Sequence, residues 1–398
     1  MNKKMFTPVK YIYLLFIIGI SVLILSLIFS KGVFLENIVY TFSYFADFFD
    51  HVRRFYLGLG NVYFEGMHAS FPPLAYCMYY LISCILYKNN IDNPYALQTS
   101  PSGVLLVSIV IAILAVLFVF ATLKLYEESN LGKNKLMSIM LLLSYPFWLS
   151  IERGNMSLLV LIILMYAFAL RNSENKVERE LAILLFAAAF GLKLYPAIFG
   201  VLYLSEKRYK EAFRLTIYGL LFFFVPFVFF QGTVGFLAFL GNITAVNSGV
   251  TGVTITGICG RISEALGISV TLGHQLGKIL SYFYLMIVIL ICLFKSTSWK
   301  NITLLTSLTI IFVPASGTYC LIYWTIPFLC FMNEMNRKKS YCKMDYLYAT
   351  LLSLVFIAYP IKALGSSGML YIFLYILLLI ILLDQIFHLN TNKGLIKY

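Results

Sequence analysis

The sequence predicts an all-α, polytopic integral membrane protein with about twelve transmembrane helices, and three observations carry that prediction. Of the 398 residues, 61% are hydrophobic and 12% charged, with a mean hydropathy of +0.88; soluble chains of this length do not have such a composition. Apolar stretches recur along the whole length, and no polar segment between them exceeds roughly 70 residues, so a separate soluble catalytic domain has no room. Lys and Arg total 30 against 17 Asp and Glu, a net charge of +13. In so apolar a chain that excess belongs in cytoplasmic loops against anionic lipid, not against nucleic acid.

Taken in order, residues 11 to 30 follow Lys3, Lys4 and Lys10 as in a secretory signal. The apolar run spans a bilayer and no small-residue cleavage site follows, so it reads as an uncleaved first helix. Tyr44-Phe45-Ala46-Asp47-Phe48-Phe49-Asp50-His51 alternates aromatic and acidic residues just beyond it, which predicts an interfacial helix with its carboxylates toward the membrane surface. Asp47 and Asp50 are then either solvated interfacial acids or a general base for a hydroxyl. Gly60-Asn61-Val62-Tyr63 follows, then Phe71-Pro72-Pro73-Leu74, whose proline pair suits a helix start. The apolar run 72 to 87 spans roughly 24 Å as a helix, short of a core of about 30 Å, and is read as lying along the surface.

Glu152-Arg153-Gly154-Asn155 joins two apolar runs with more charge than a plain turn needs. In the run 181 to 204, Lys193 and Pro196 fall mid-span, where a charge and a helix breaker are both unfavourable. Two short helices meeting at Lys193 are expected, with the ammonium paired or bound to an anion such as phosphate. This arrangement gives twelve crossings with both termini cytoplasmic and about two thirds of the basic residues inside. It puts the outer loop 31 to 102, the Glu152 to Asn155 turn, the Lys193 break and a second outer loop, 232 to 275, on one extracytoplasmic side. A straight 181 to 204 span would strand Lys193 in lipid.

The 232 to 275 segment is rich in Gly, Thr and Ser and carries Arg261, Glu264 and His274; a short re-entrant helix over Gly260 to Leu266 is expected within it. Pro314-Ala315-Ser316-Gly317 and Tyr359-Pro360 read as helix ends, and the second half shows no assignable motif. The seven cysteines read as small core residues. With four His and no His-Glu-x-x-His pattern, neither a protein metal site nor a cofactor is expected.

In order and spacing, Asp47-Phe48-Phe49, Asn61-Val62-Tyr63, Phe71-Pro72-Pro73-Leu74, Glu152-Arg153-Gly154-Asn155 and Lys193-Leu194-Tyr195-Pro196 make the chain resemble the GT-C membrane glycosyltransferases, above all glycosyltransferase family 87 with its polyprenyl-phosphate-mannose-dependent mannosyltransferases. The resemblance covers about residues 10 to 215. It implies a catalytic module over 1 to 215, followed by C-terminal transmembrane helices over 216 to 398. It also implies inverting transfer of mannose or another hexose from a polyprenyl-phosphate carrier to a lipid or glycan acceptor on the outer face, with Asp47 in the place of the family's catalytic base. Gly154-Asn155 stands where many members carry Gly-Gln, and Phe71 where Tyr is usual.

A lipid-phosphate sugar carries its own leaving group, so the protein need only hold the phosphate with cations, orient the acceptor and take its proton. On that scheme Asp47 is the base, with Asp50 as second carboxylate. Lys193, Arg153, Arg54 and His68 are the candidate phosphate ligands, while Glu152, Asn155 and Tyr195 orient sugar or acceptor. A flippase or other transporter is the competing class, but no internal repeat supports it. A multi-pass polysaccharide polymerase would rely on arginines in large outer loops, and Arg261 is the only Lys or Arg between 232 and 275. The wealth of Lys, Ile, Phe and Tyr suggests an AT-rich bacterium and a cell-envelope polysaccharide or glycolipid as product.

Overall fold

The computed structural model describes residues 7–34, 45–64, 69–87, 94–128, 130–246, 252–295, 297–313, 316–357 and 368–387. Among them every regular element is helical. The first part comprises α1 (Pro8–Phe29), α2 (Ala46–Val52), α3 (Pro73–Tyr87), α4 (Pro101–Leu125), α5 (Leu131–Leu142), α6 (Tyr145–Arg153), α7 (Ser157–Leu170), α8 (Lys176–Leu192) and α9 (Gly200–Ser205). There follow α10 (Tyr209–Phe224), α11 (Thr233–Val246), α12 (Ile255–Ala265), α13 (Val270–Phe294), α14 (Trp299–Ile311), α15 (Thr325–Arg337), α16 (Lys343–Ile357) and α17 (Gly368–Phe387). His68, Tyr44, Pro314, Ala315, Tyr359 and Pro360 lie outside the described residues.

Five stretches are long and apolar enough to cross a membrane: α1, α4, Tyr209–Phe230, α13 and Leu370–Phe387. Their outer faces carry large exposed apolar side chains, among them Ile17, Val22, Ile109, Phe120, Ile279 and Phe283. Water does not tolerate so much contiguous apolar surface, whereas lipid does. The chain is therefore a polytopic membrane protein. Proline and capping residues set the helix starts: the Thr7 hydroxyl accepts from Lys10 N at 3.2 Å beside Pro8, and Ser100 caps α4 before Pro101.

At the centre stands α7, apolar on every side and buried along most of its length between α4 and α8. The run 181 to 204 is broken as expected. Helix α8 stops at Lys193, whose backbone is extended (φ −147°, ψ 138°), and a 3-10 turn over Tyr195–Phe199 leads into α9. Pro196 causes the stop, because it has no N–H to continue the ladder and its ring would strike the carbonyl of Leu192. Helix α3 packs against α2, α8 and α10. There a Cβ on Gly191 would stand 2.9 Å from Phe222 Cβ and 3.0 Å from Leu74 Cδ2, so only glycine admits the approach.

At the far end of α7 an ion-pair chain ties four helix ends together. Arg171 pairs with Glu206, Glu206 with Arg208 at 3.3 Å, Arg208 with Glu211, and Glu211 with Arg179 at 3.6 Å. This alternation satisfies charges that the buried Arg171 would otherwise carry alone.

One expectation is corrected. The segment 232 to 275 is not a long loop: α11, α12 and the start of α13 occupy most of it, and the expected re-entrant turn is the C-terminal part of the longer α12. Its glycines are packing surfaces. A Cβ on Gly277 would lie 3.1 Å from Cys259 Cβ, and one on Gly273 2.7 Å from the Cys259 carbonyl, so α12 and α13 approach as closely as backbones allow. His274 fills the space over Gly260, and Arg261 donates to the Gly252 carbonyl.

Candidate active site

The turn after α6 is the anchor. Gly154 caps α6 in the left-handed conformation (φ 63°), and α2 lies directly over it: a Cβ there would come within 2.8 Å of Phe48 Cβ. A backbone bond from Phe45 N to the Glu152 carbonyl, 3.2 Å, fastens the start of α2 to the same turn. These contacts swing Asp47 inward. Its carboxylate is paired with Arg153 through Oδ1, and Oδ2 accepts from Asn155 Nδ2 at 2.8 Å. The expectation that both carboxylates of this helix face the membrane surface is thus corrected for Asp47, whose side chain is only 13% exposed. The more exposed Asp50 pairs locally with Arg53.

Asn155 continues the chain. Its Oδ1 accepts three bonds, from Lys193 Nζ at 2.6 Å, Ser157 Oγ at 2.7 Å and Ser157 N at 3.0 Å. Lys193, 5% exposed, also donates to Ser157 Oγ at 2.6 Å. Its ammonium lies 5.2 Å from the Phe71 ring centre, 5.5 Å from that of Tyr195 and 5.2 Å from that of Tyr319. Two hydrogen bonds and three aromatic faces together offset the cost of taking this cation out of water.

The remaining motifs converge on the same place. Tyr63, inside the 3-10 turn Leu59–Phe64, donates its hydroxyl to the Phe71 carbonyl at 2.8 Å, and its ring packs on Tyr76, Phe227, Phe230 and Phe239. Phe71 packs on His51 with ring centres 4.2 Å apart and planes tilted by 32°. Burial, then the nearby Arg54, Lys193 and Arg53 cations, hold the His51 imidazole well below its ordinary pKa, so it is neutral at neutral pH. Arg54 is buried beside it. Glu152 stands within electrostatic reach of Arg153. Tyr195 donates its hydroxyl to Tyr323 at 2.6 Å.

A cavity of 580 Å³ opens beside Lys193. Phe71, Pro72, Lys193, Tyr195 and Tyr319 line its polar end; Ile243, Leu285, Ile289, Leu308, Phe312 and Val313 make its apolar walls. Asp47 and Arg153 are not among its lining residues. The arrangement offers a fixed carboxylate, two cations and an apolar channel leading to one of them. Among the described residues no three His, Cys, Asp or Glu side chains gather as metal ligands would.

Sequence reasoning missed Ser157, Tyr319 and Tyr323. The spacing Asn155-x-Ser157 at a helix start carries a signal for Ser157, whose N–H closes an Asx turn onto the Asn155 side chain. Nothing in the sequence marks the two tyrosines, which come from a 3-10 stretch over Thr318–Trp324 in the second half and pack against α6 and α7.

The family model of glycosyltransferase family 87 matches residues 94–320. The matched stretch takes in the Glu152 to Asn155 turn, Lys193 and Tyr319 and begins beyond Asp47, so it reaches further into the second half than the motifs alone. No curated protein and no solved structure matches.

Proposed function

We propose that this chain, which belongs to glycosyltransferase family 87 and is a membrane glycosyltransferase, moves a hexose with inversion from a polyprenyl-phosphate carrier to a hydroxyl of a lipid or glycan acceptor. Mannose is the sugar the family resemblance suggests. The single observation that carries the reading is the linkage of Asp47 to Lys193 through Asn155, with Lys193 at the polar end of an apolar-walled cavity.

The chemistry follows from donor counting. A carboxylate offers about four lone-pair sites; Arg153 and Asn155 use two and hold the group still, leaving the others for an acceptor hydroxyl. As that oxygen attacks the anomeric carbon, its proton passes to Asp47 and the bond from carbon to phosphate oxygen breaks on the opposite side of the sugar. One displacement inverts the centre. The leaving phosphate gathers negative charge, and Lys193, which keeps one N–H beyond those given to Asn155 and Ser157, stabilises it with Arg153 nearby. The isoprenoid tail lies along Ile243, Leu285 and Phe312.

Charge supports the proposed sidedness. The end of α7 away from Asn155 carries Arg171, Arg179, Arg208 and Arg214, with Lys124 and Arg337 nearby, and basic ends face the cytoplasm. The proposed topology has twelve crossings, cytoplasmic termini and an extracytoplasmic active site at the plasma membrane, with Asp47 on an interfacial helix.

The test uses full-length protein in nanodiscs with a panel of radiolabelled polyprenyl-phosphate sugars and a membrane-lipid extract. Transfer by the wild type, lowered about 100- to 10,000-fold in Asp47→Asn, supports the reading and identifies the sugar. Wild-type protein that transfers from no monophosphate carrier refutes it.

A further inference from the structure

We infer that Tyr319 contacts the donor sugar and helps select it, an assignment that rests on the transferase reading above. The starting point is a division of labour in space. The carrier phosphate belongs at Lys193, inside the cavity, and the acceptor hydroxyl belongs at Asp47, outside its lining. In a single displacement the anomeric carbon lies between the oxygen that leaves and the oxygen that attacks, so the sugar must lie alongside the Asn155 amide that joins Lys193 to Asp47.

Tyr319 borders that place. Its ring faces the Lys193 ammonium at 5.2 Å and forms part of the cavity wall. It also lies within electrostatic reach of both Asp47 and Arg153. Its hydroxyl makes no hydrogen bond among the described residues, whereas the neighbouring Tyr195 and Tyr323 hydroxyls are engaged with each other at 2.6 Å. A phenol can both donate to and accept from a sugar hydroxyl. The ring and the hydroxyl therefore have separable tasks: the ring steadies the phosphate-binding cation, and the hydroxyl reads the sugar.

That separation sets the experiment. Full-length wild type, Tyr319→Phe and Tyr319→Leu are compared in nanodiscs for affinity toward sugar-free polyprenyl phosphate and for kcat/KM with two epimeric polyprenyl-phosphate hexoses. Tyr319→Phe keeps the ring, so it binds the sugar-free carrier within about twofold of wild type. It loses about tenfold or more in kcat/KM with the preferred hexose, and its preference between the epimers narrows. Tyr319→Leu loses the ring as well and weakens sugar-free carrier binding too. Unchanged kcat/KM in Tyr319→Phe overturns the inference while leaving the transferase intact, as does an equal loss on the sugar-free carrier, which would mark a packing role. A wild type that neither binds nor uses any polyprenyl-phosphate carrier overturns both.

Discussion

Lys193 Nζ lies 2.6 Å from Asn155 Oδ1. That contact decides which end of the amide faces Asp47. With three donors on Oδ1, the Nδ2 end must turn to the carboxylate, and it does so at 2.8 Å. Asn155 thereby holds the proposed base and the proposed phosphate ligand in one frame. Asn155→Leu removes both bonds at similar volume. It should lower kcat through Asp47 and weaken donor binding through Lys193, each by about tenfold or more, while Asn155→Gln recovers part of both. Steady-state kinetics together with donor titration check this; a loss confined to one of the two would separate the residues that the amide joins.

Lys193→Ala removes a buried charge-assisted donor and leaves Asn155 and Ser157 without their shared partner. Donor affinity should fall by about ten- to a hundredfold, more than acceptor affinity does. Titration with polyprenyl phosphate measures the first, and acceptor KM at saturating donor the second. An unaltered donor affinity removes Lys193 from phosphate binding.

Gly154→Ala places a Cβ at φ 63° and 2.8 Å from Phe48 Cβ. The strain should cost about 1–3 kcal/mol and push α2 away from the turn, so thermal stability in detergent and transfer decline together. A variant of wild-type stability and activity would show that α2 does not rely on this approach to position Asp47.

His51 supplies a pH signature. Its folded pKa is depressed, so on acidification the unfolded chain takes up this proton near pH 6.5 while the folded chain resists it. The stability it contributes is complete above that pH and drains away below it, by up to about 1.4 kcal/mol per pH unit. Thermal unfolding from pH 7.5 to 5.5 should therefore show a shallower loss in His51→Gln than in wild type. Parallel curves would mean that His51 titrates freely.

Much of this was legible in the sequence. The Lys193 break could be seen because a charge and a proline interrupt an otherwise continuous apolar run. The meeting of the Glu152 to Asn155 turn with Lys193 followed from assigning basic loops to one end. The inward turn of Asp47 was not legible. An octapeptide alternating aromatic and acidic residues reads the same whether its carboxylates meet water or an arginine more than a hundred positions away. Tyr319 and Tyr323 were hidden for a different reason: aromatic residues within apolar stretches show no pattern until their neighbours in space are known. Segment 232 to 275 misled because glycine marks both chain reversals and the tightest helix contacts.

Helix lengths carry one last consequence. From the end marked by Arg171, the 14 residues of α7 rise about 21 Å, while the 25 residues of α4 beside it rise about 37 Å. On that side α4 therefore reaches roughly 16 Å past the start of α7, and Asn155 and its partners lie below its end, with α2 packed over the Gly154 turn. Under the proposed function, water is the one acceptor always at hand to waste an activated sugar. On that reading the short central helix makes the enzyme's thrift a matter of architecture: base and cation are set deeper than the neighbouring helix end, an arrangement suited to restraining hydrolysis of the donor.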